Sequence, residues 1–415
     1  MTRVVVVGAG LAGLVAGVRL AQLGAQVSVV SKGSGGLRLS TGTVDVLGYA
    51  PDRVDDAAAA VARIAGERPD HPYSRLGGVL DEALGWFRGI VAGLRPEGDG
   101  RRNLLVPTAV GVARPTAVAP AAIAAGRLDR PQRFAVAGLH SLRDFFPALL
   151  ADNLPRAGLG HPVEARPLML SWSGRPGWAD VATTVHARAL DAPAERARLA
   201  DELRPMIEPG ETVLLPAVVG LARSAEAWDD LQERLGAPVA EVPTIPPSVP
   251  GIRMEALLVA ALRAAGGELV LGPDAVGIEG GRGHATAVRV HQAARTRAVP
   301  ADAVVLATGG FASGGIDLDS HGHLRETVAG LPVAGPPAGD PGLSPRALDP
   351  QPLMRAGLVV DHAMRPLDPG GAPLWSNLHA VGALVAGAEP WREKSGEGIA
   401  IAGGYRAATA IMEGR

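Results

Sequence analysis

The 415-residue chain has no cysteine. That excludes disulfides, thiol nucleophiles and Cys-ligated iron–sulfur clusters within it. It also has no surplus of either charge: 40 Lys and Arg against 42 Asp and Glu give a formal net charge of −2. The basic residues are mixed with acidic ones along the chain, so the footprint of a nucleic-acid-binding protein is missing. No uninterrupted apolar run is long enough to span a bilayer. The apolar start is broken by glycines at 8, 10 and 13 and runs on into Arg19 and Gln22 with no small-residue cleavage site. It therefore does not read as a signal peptide, and any membrane contact is expected through a partner. What remains is a globular chain, 47% apolar, long enough for two or three domains.

One further absence is local. The stretch "VVVVGAGLAGLVAGVRLAQLGAQVSVVSKG", residues 4–33, spells strand, glycine turn, helix and second strand. Arg3–Val7 is a β-branched run suited to a buried parallel strand, Leu11–Leu23 has helical apolar spacing with Gly24 as its stop, and Gln26–Ser31 is the next strand. Between the first two lies a full G-x-G-x-x-G. Gly8 permits the tight turn, Gly10 lets a phosphate approach the backbone, and Gly13 lets the helix sit close to the strand. The free N–H groups of Leu11 and Ala12 then face that phosphate at the positive end of the helix dipole. The second strand of such a unit usually ends in an acid that grips a ribose; here Ser31 and Lys32 stand in its place. Serine makes a weaker ribose contact. Lysine can neutralise a phosphate or simply sit in solvent.

Three later stretches point to flavin rather than nicotinamide. Ser40, Thr41 and Gly42, in "LRLSTGTVDVLG", follow the second strand and can reach a phosphate or the edge of an isoalloxazine ring. "VVLATGG" runs a strand into a glycine turn at Thr308, Gly309 and Gly310. "AVGALVAG", with Gly382, leads to "KSGEGIAIAGG", which aims a second helix N-terminus, near Gly396 and Gly398, at a ligand. Reduced flavin gathers negative charge at N1–C2=O, which a helix N-terminus stabilises. Glu397 between those glycines would repel that charge unless it points away or pairs, with Lys394 the nearest cation in the chain.

The pattern predicts an α/β fold: a Rossmann-like flavin-binding domain with a parallel sheet and β-meander, plus an inserted second α/β lobe. The flavin-binding domain is expected in three pieces, 1–50, 246–310 and 371–415. The Ala-, Pro- and Arg-rich stretch 51–245 is assigned to the inserted lobe, and 311–370 to a loop and cap region. Within it, the proline-rich 330–352 is expected as a surface loop.

Beyond these elements the chain resembles the B subunits of anaerobic glycerol-3-phosphate dehydrogenase over nearly its whole length. The glycine turn, "LSTGTVDVLGYAP", "HPYSRL", "AGLHSLRDF", "LLPAVVGL", "VLATGGFASGGI" and "NLHAVGALVAG" carry the similarity, and "VPTIPPSVPGIR" (Val242–Arg253) is its most distinctive part. More distantly, the opening is similar to flavoprotein subunits of succinate dehydrogenase and fumarate reductase, which also have Ser-Lys after the second strand. The resemblance implies a flavoprotein working with a second flavoprotein subunit and an iron–sulfur subunit that anchors the pair to the membrane. It implies a cytoplasmic chain held at the inner face of the cell membrane through that partner. Together they would oxidise sn-glycerol 3-phosphate to dihydroxyacetone phosphate and pass electrons to quinone. It implies FMN, which has no adenosine ribose and would explain the missing acid. FAD, favoured by the pyrophosphate-type turn, is the alternative. With Ser40 where distant relatives carry a flavin-linking histidine, non-covalent binding is expected.

Candidate catalytic residues are Arg253 and Arg325, at positions where the family pattern also has arginine, with Arg114 as a third phosphate ligand and His323 as a base. The partner flavoprotein could instead oxidise the substrate, leaving this chain as electron relay. A colourless scaffold, or a stand-alone flavin enzyme acting on another metabolite, are the competing classes.

Overall fold

In the computed structural model the first strand of the chain, β1 (Arg3–Val7), lies at the centre of a five-stranded sheet. With β2 (Gln26–Ser31), β3 (Glu268–Leu271), β4 (Ala303–Leu306) and β5 (Leu378–Ala380) it gives the order β3-β2-β1-β4-β5, every neighbour parallel. Residues 338, 339, 341 and 415 are not described.

Val4 to Val7 are all buried, as the unbroken apolar run requires of a strand covered on both faces. Cover comes from three helices and a meander. Helix α1 (Leu11–Gln22) packs against α2 (Val249–Ala264) and α3 (Gly396–Glu413). The antiparallel meander Asp274–Gly281, His284–Gln292 and Arg295–Pro300 packs against β2 and β4.

A second sheet holds Val239–Val242, Thr212–Pro216, Gln132–Leu139 and Val163–Leu170 in that spatial order, all parallel. It has its own core, in which Phe134, Val136, Leu150, Leu199, Val213 and Leu231 are buried.

The composition boundary at residue 51 does not coincide with a boundary between cores. Helices Ala57–Glu67 and Leu80–Ile90 bury Val61, Ile64, Leu84 and Phe87 in the first core, and the second core begins only near Ala113. An amphipathic face specifies burial but not the partner, so composition could not assign these helices to a sheet. Between 311 and 370 the chain forms the hairpin Ile316–Leu318 with Leu324–Glu326 and then adds Leu358, Val360 and Met364 to the first core. The proline-rich expectation at 330–352 lies partly outside the described residues.

Candidate functional site

The glycine turn is wedged between three strands. Gly8 donates its N–H to Val30 O at 2.8 Å and has φ +110°, and a Cβ there would lie 2.3 Å from Ala307 O. A Cβ on Gly13 would lie 2.0 Å from Gly8 O. Gly10 differs: no heavy atom lies within 4 Å of its Cβ position. Its open side faces a cleft of about 860 Å³. The cleft runs from Ser31, Lys32 and Asp274 across the glycine turn to Thr308 and Gly309. A smaller cavity of about 190 Å³ shares Gly10 and Gly309 with it and continues past Leu11, Ala12 and Ser40 to Gly382, Gly396 and Glu397.

The structure thus brings Gly8, Gly10, Leu11, Ala12, Ser31, Lys32, Ser40, Thr308, Gly309, Gly382 and Gly396 to the walls of two adjoining cavities that share Gly10, Gly36, Ala307, Gly309 and Ser313 and together make up the groove. Gly13 packs the helix onto its own turn. Gly42 has φ +72° and abuts Pro250, Gly310 abuts Ala383 O, and Gly398 donates to Asp45 O at 2.9 Å, so these three shape the groove from behind. Thr41 bonds Thr43 at 2.8 Å and Arg114 at 3.0 Å.

The groove fits a flavin nucleotide on two counts. A phosphate can approach Gly10 because nothing fills the space above it. Thr308 Oγ1 is buried at the end of β4 and has no hydrogen-bond partner among the described residues, and an orphaned hydroxyl of this kind wants a ligand or water.

The inner end of the groove is backed by a charged cluster. Asp45 and Arg114 form an ion pair, and Arg114 also donates to Thr43 at 2.9 Å. Burial raises the Asp45 carboxyl, while Arg114 and Thr116 pull it back. Burial and the neighbouring Asp45 push Glu397 up to about 7. Burial and Arg114 lower Lys394. Among the described residues no ion pair within 4 Å joins Lys394 to Glu397, and the nearby Arg114 pulls the raised carboxyl only part of the way back. Glu393 behaves oppositely: burial alone would raise it, but His71, Ser395 and Arg68 hold it down to about 2.

The candidate catalytic residues are not brought together. Arg253 is 5% exposed. Its Nη1 donates to Glu241 Oε2 at 2.5 Å and its Nε to Gly220 O at 2.9 Å, so it is a structural anchor rather than a substrate ligand. His323 and Arg325 lie on the exposed hairpin, paired with Asp319 and Asp317 at 3.1 and 3.3 Å. Neither lines the groove. A charged side chain's partners are set by tertiary contacts, which motif position does not encode. Conversely, no motif singles out Asp45 or Asp274. Asp274 stands three residues beyond a strand that pairs with β2, and only the sheet order reveals that neighbourhood.

The FAD binding domain family matches residues 3–399. The B subunit of anaerobic glycerol-3-phosphate dehydrogenase from Yersinia pestis is 32% identical over 409 residues, covering 96% of this chain and 95% of that protein. The probable B subunit from Halobacterium salinarum is 32% identical over 426 residues, covering 99% and 98%. Among solved structures, 3-ketosteroid delta1-dehydrogenase from Sterolibacterium denitrificans is similar with a TM-score of 0.47 at 13% identity, over the full length of both chains. On its glycine-turn groove, the FAD binding domain match and two near-full-length relatives, the chain belongs to the flavoprotein family of anaerobic glycerol-3-phosphate dehydrogenase B subunits.

Proposed function

We propose that the chain is an FAD-carrying subunit of a glycerol-3-phosphate dehydrogenase complex that sends electrons to quinone. The observation that carries the reading is the pair of adjoining cavities that meet at Gly10 and Gly309 and lead from the glycine turn to the start of α3. It supports FAD over the FMN that the family resemblance implies, because the cleft continues beyond Gly10 to Lys32 and Asp274, where FMN has nothing to place. Bound there, the flavin supplies a two-electron acceptor for a secondary alcohol. In this reading the chain's own groups do the rest. Backbone N–H groups at the start of α1 bind the phosphates, the N-terminus of α3 faces the ring edge, and Thr308 offers its hydroxyl to the ligand. With no cysteine, the iron–sulfur cluster belongs to a partner. Among the described residues no helix is long and apolar enough to cross a membrane, and the reading assigns the anchoring role to that partner too.

One observation favours a relay role within the same complex. The inner cavity has neither arginine nor lysine in its walls among the described residues, and Arg114 is engaged by Asp45. A phosphate ester has no free cation to meet there. The partner flavoprotein then oxidises glycerol 3-phosphate and this chain passes electrons on.

Two measurements test this. Acid release of the cofactor from purified protein, followed by mass spectrometry, is expected to give FAD; FMN or an empty protein rejects the cofactor assignment. Anaerobic mixing with glycerol 3-phosphate is expected to leave the flavin of the isolated chain oxidised and to bleach it once the partner flavoprotein is added. Bleaching of the isolated chain assigns the oxidation to it instead.

A further inference from the structure

The acid missing from the end of β2 has a counterpart on the neighbouring strand. Ser31 cannot fill the role freely, because its hydroxyl already donates to Gly33 O at 2.7 Å. Leu271, the last residue of β3, pairs in register with Ser31, and Gly272 donates its N–H to Ser31 O at 2.8 Å. The chain then turns at the carboxyl end of β2 and delivers Asp274 into the same cleft wall as Ser31 and Lys32. Asp274 Oδ2 accepts a hydrogen bond from Lys32 Nζ at 2.9 Å.

The chemistry of the cleft makes this carboxylate conspicuous. It is the only acid among the described residues lining the cleft. Its neighbours suit an anion: the start of α1 and Lys32, while Arg38 in the same wall is already held by Glu255 at 2.5 Å. A carboxylate among them repels phosphates unless its charge is offset and its oxygens accept from the ligand. Lys32 provides the offset. The pair contributes little to folding, since the two side chains are 78% and 45% exposed. A ribose presents two hydroxyl donors, and an ionised carboxylate has acceptor sites beyond the one used by Lys32.

We propose that Asp274, steadied by Lys32, binds the ribose hydroxyls of the adenosine half of FAD and so selects FAD over FMN. The inference rests on the FAD reading above. It also explains the Ser31-Lys32 departure: the ribose acid has moved one strand over, and the lysine after Ser31 holds it.

The test measures flavin affinity, not turnover. Apo-protein is prepared from wild type, Asp274→Ala and Ser31→Glu/Asp274→Ala, and each is titrated with FAD and with FMN by fluorescence quenching. Asp274→Ala is expected to weaken FAD by about tenfold or more and leave FMN unchanged. Restoring an acid at Ser31 is expected to recover part of the loss. If wild type binds FMN as tightly as FAD, the FAD reading fails and this proposal with it. If wild type prefers FAD and Asp274→Ala keeps the full preference, or loses both nucleotides equally, the proposal alone is overturned. Should apo-protein not survive flavin removal, the FAD-to-FMN ratio in the purified holoproteins decides the matter in the same way: Asp274→Ala must carry a lower ratio than wild type.

Discussion

Gly8, Gly10 and Gly13 belong to one motif but meet different surroundings, and substitution separates their roles. A Cβ on Gly13 would sit 2.0 Å from Gly8 O, a backbone atom that cannot move aside without shifting β1. Gly13→Ala is expected to destabilise the protein by about 3 kcal/mol, read as a lower thermal midpoint with or without flavin. Gly10 has open space at its Cβ position, so Gly10→Ala should melt close to wild type without cofactor. The added methyl occupies the phosphate approach, and flavin affinity is expected to fall by about tenfold or more. Equal losses of stability in the two variants would contradict the assignment. At this scale the sequence was most legible where a residue's demand is steric and local, as with these glycines. It was least legible for Arg253, His323 and Arg325, whose partners Glu241, Asp319 and Asp317 are fixed by the fold.

The elements around the groove hold one another in place. Loop residues 37–42 lie between the cofactor groove and the first turn of α2. Ser248 donates its N–H to Arg38 O at 2.9 Å, and a Cβ on Gly251 would lie 1.9 Å from Leu37 O. The "VPTIPPSVPGIR" segment therefore shapes the groove without lining it, which accounts for its distinctiveness better than a catalytic arginine does. The first turn of α3 carries the titratable device. Glu397, facing Asp45, Arg114, Lys394 and Tyr73, has its carboxyl raised to about 7. A raised carboxyl means the folded state holds the proton more tightly than the unfolded one. Its contribution is fully present below about pH 4.5 and is lost as pH rises through about 7. Glu397→Gln is therefore expected to gain stability relative to wild type as pH goes from 5 to 8, seen as a widening gap in calorimetric midpoints of flavin-free protein. A constant gap across that range would mean Glu397 is already ionised. The sequence flagged this glutamate as a misfit but could not say how the misfit is relieved, because relief depends on burial beside Asp45.

At the scale of the whole molecule, α2 is the tie between two cores. Its later turns pack against α1 in the first core, while Arg253 in its second turn reaches into the second lobe. There the guanidinium donates to Val219 O, Gly220 O and Glu241, and Glu241 in turn accepts from Val219 N at 2.7 Å. Both charges are buried, with side-chain exposures of 4% and 0%. The parallel first sheet was readable from its apolar runs and the second α/β lobe from its composition, but not that lobe's full sheet: Val163–Leu170 alternates buried with exposed residues and carries no apolar run. The tie was not readable either, because a buried ion pair looks like any two charged letters twelve residues apart. Removing one member leaves the other charge buried and unpaired, which costs about 3–5 kcal/mol. Arg253→Met keeps much of the volume while deleting the charge. The loss falls on the junction rather than on either sheet, so the single thermal transition expected of wild type should divide, with the second lobe melting first. Amide hydrogen exchange should rise in Thr212–Pro216 and Val239–Val242 before it rises in β1 and β2. A substrate-binding arginine would behave differently: its removal would raise KM and leave melting and exchange as they were, so the same variant decides whether Arg253 serves chemistry or architecture.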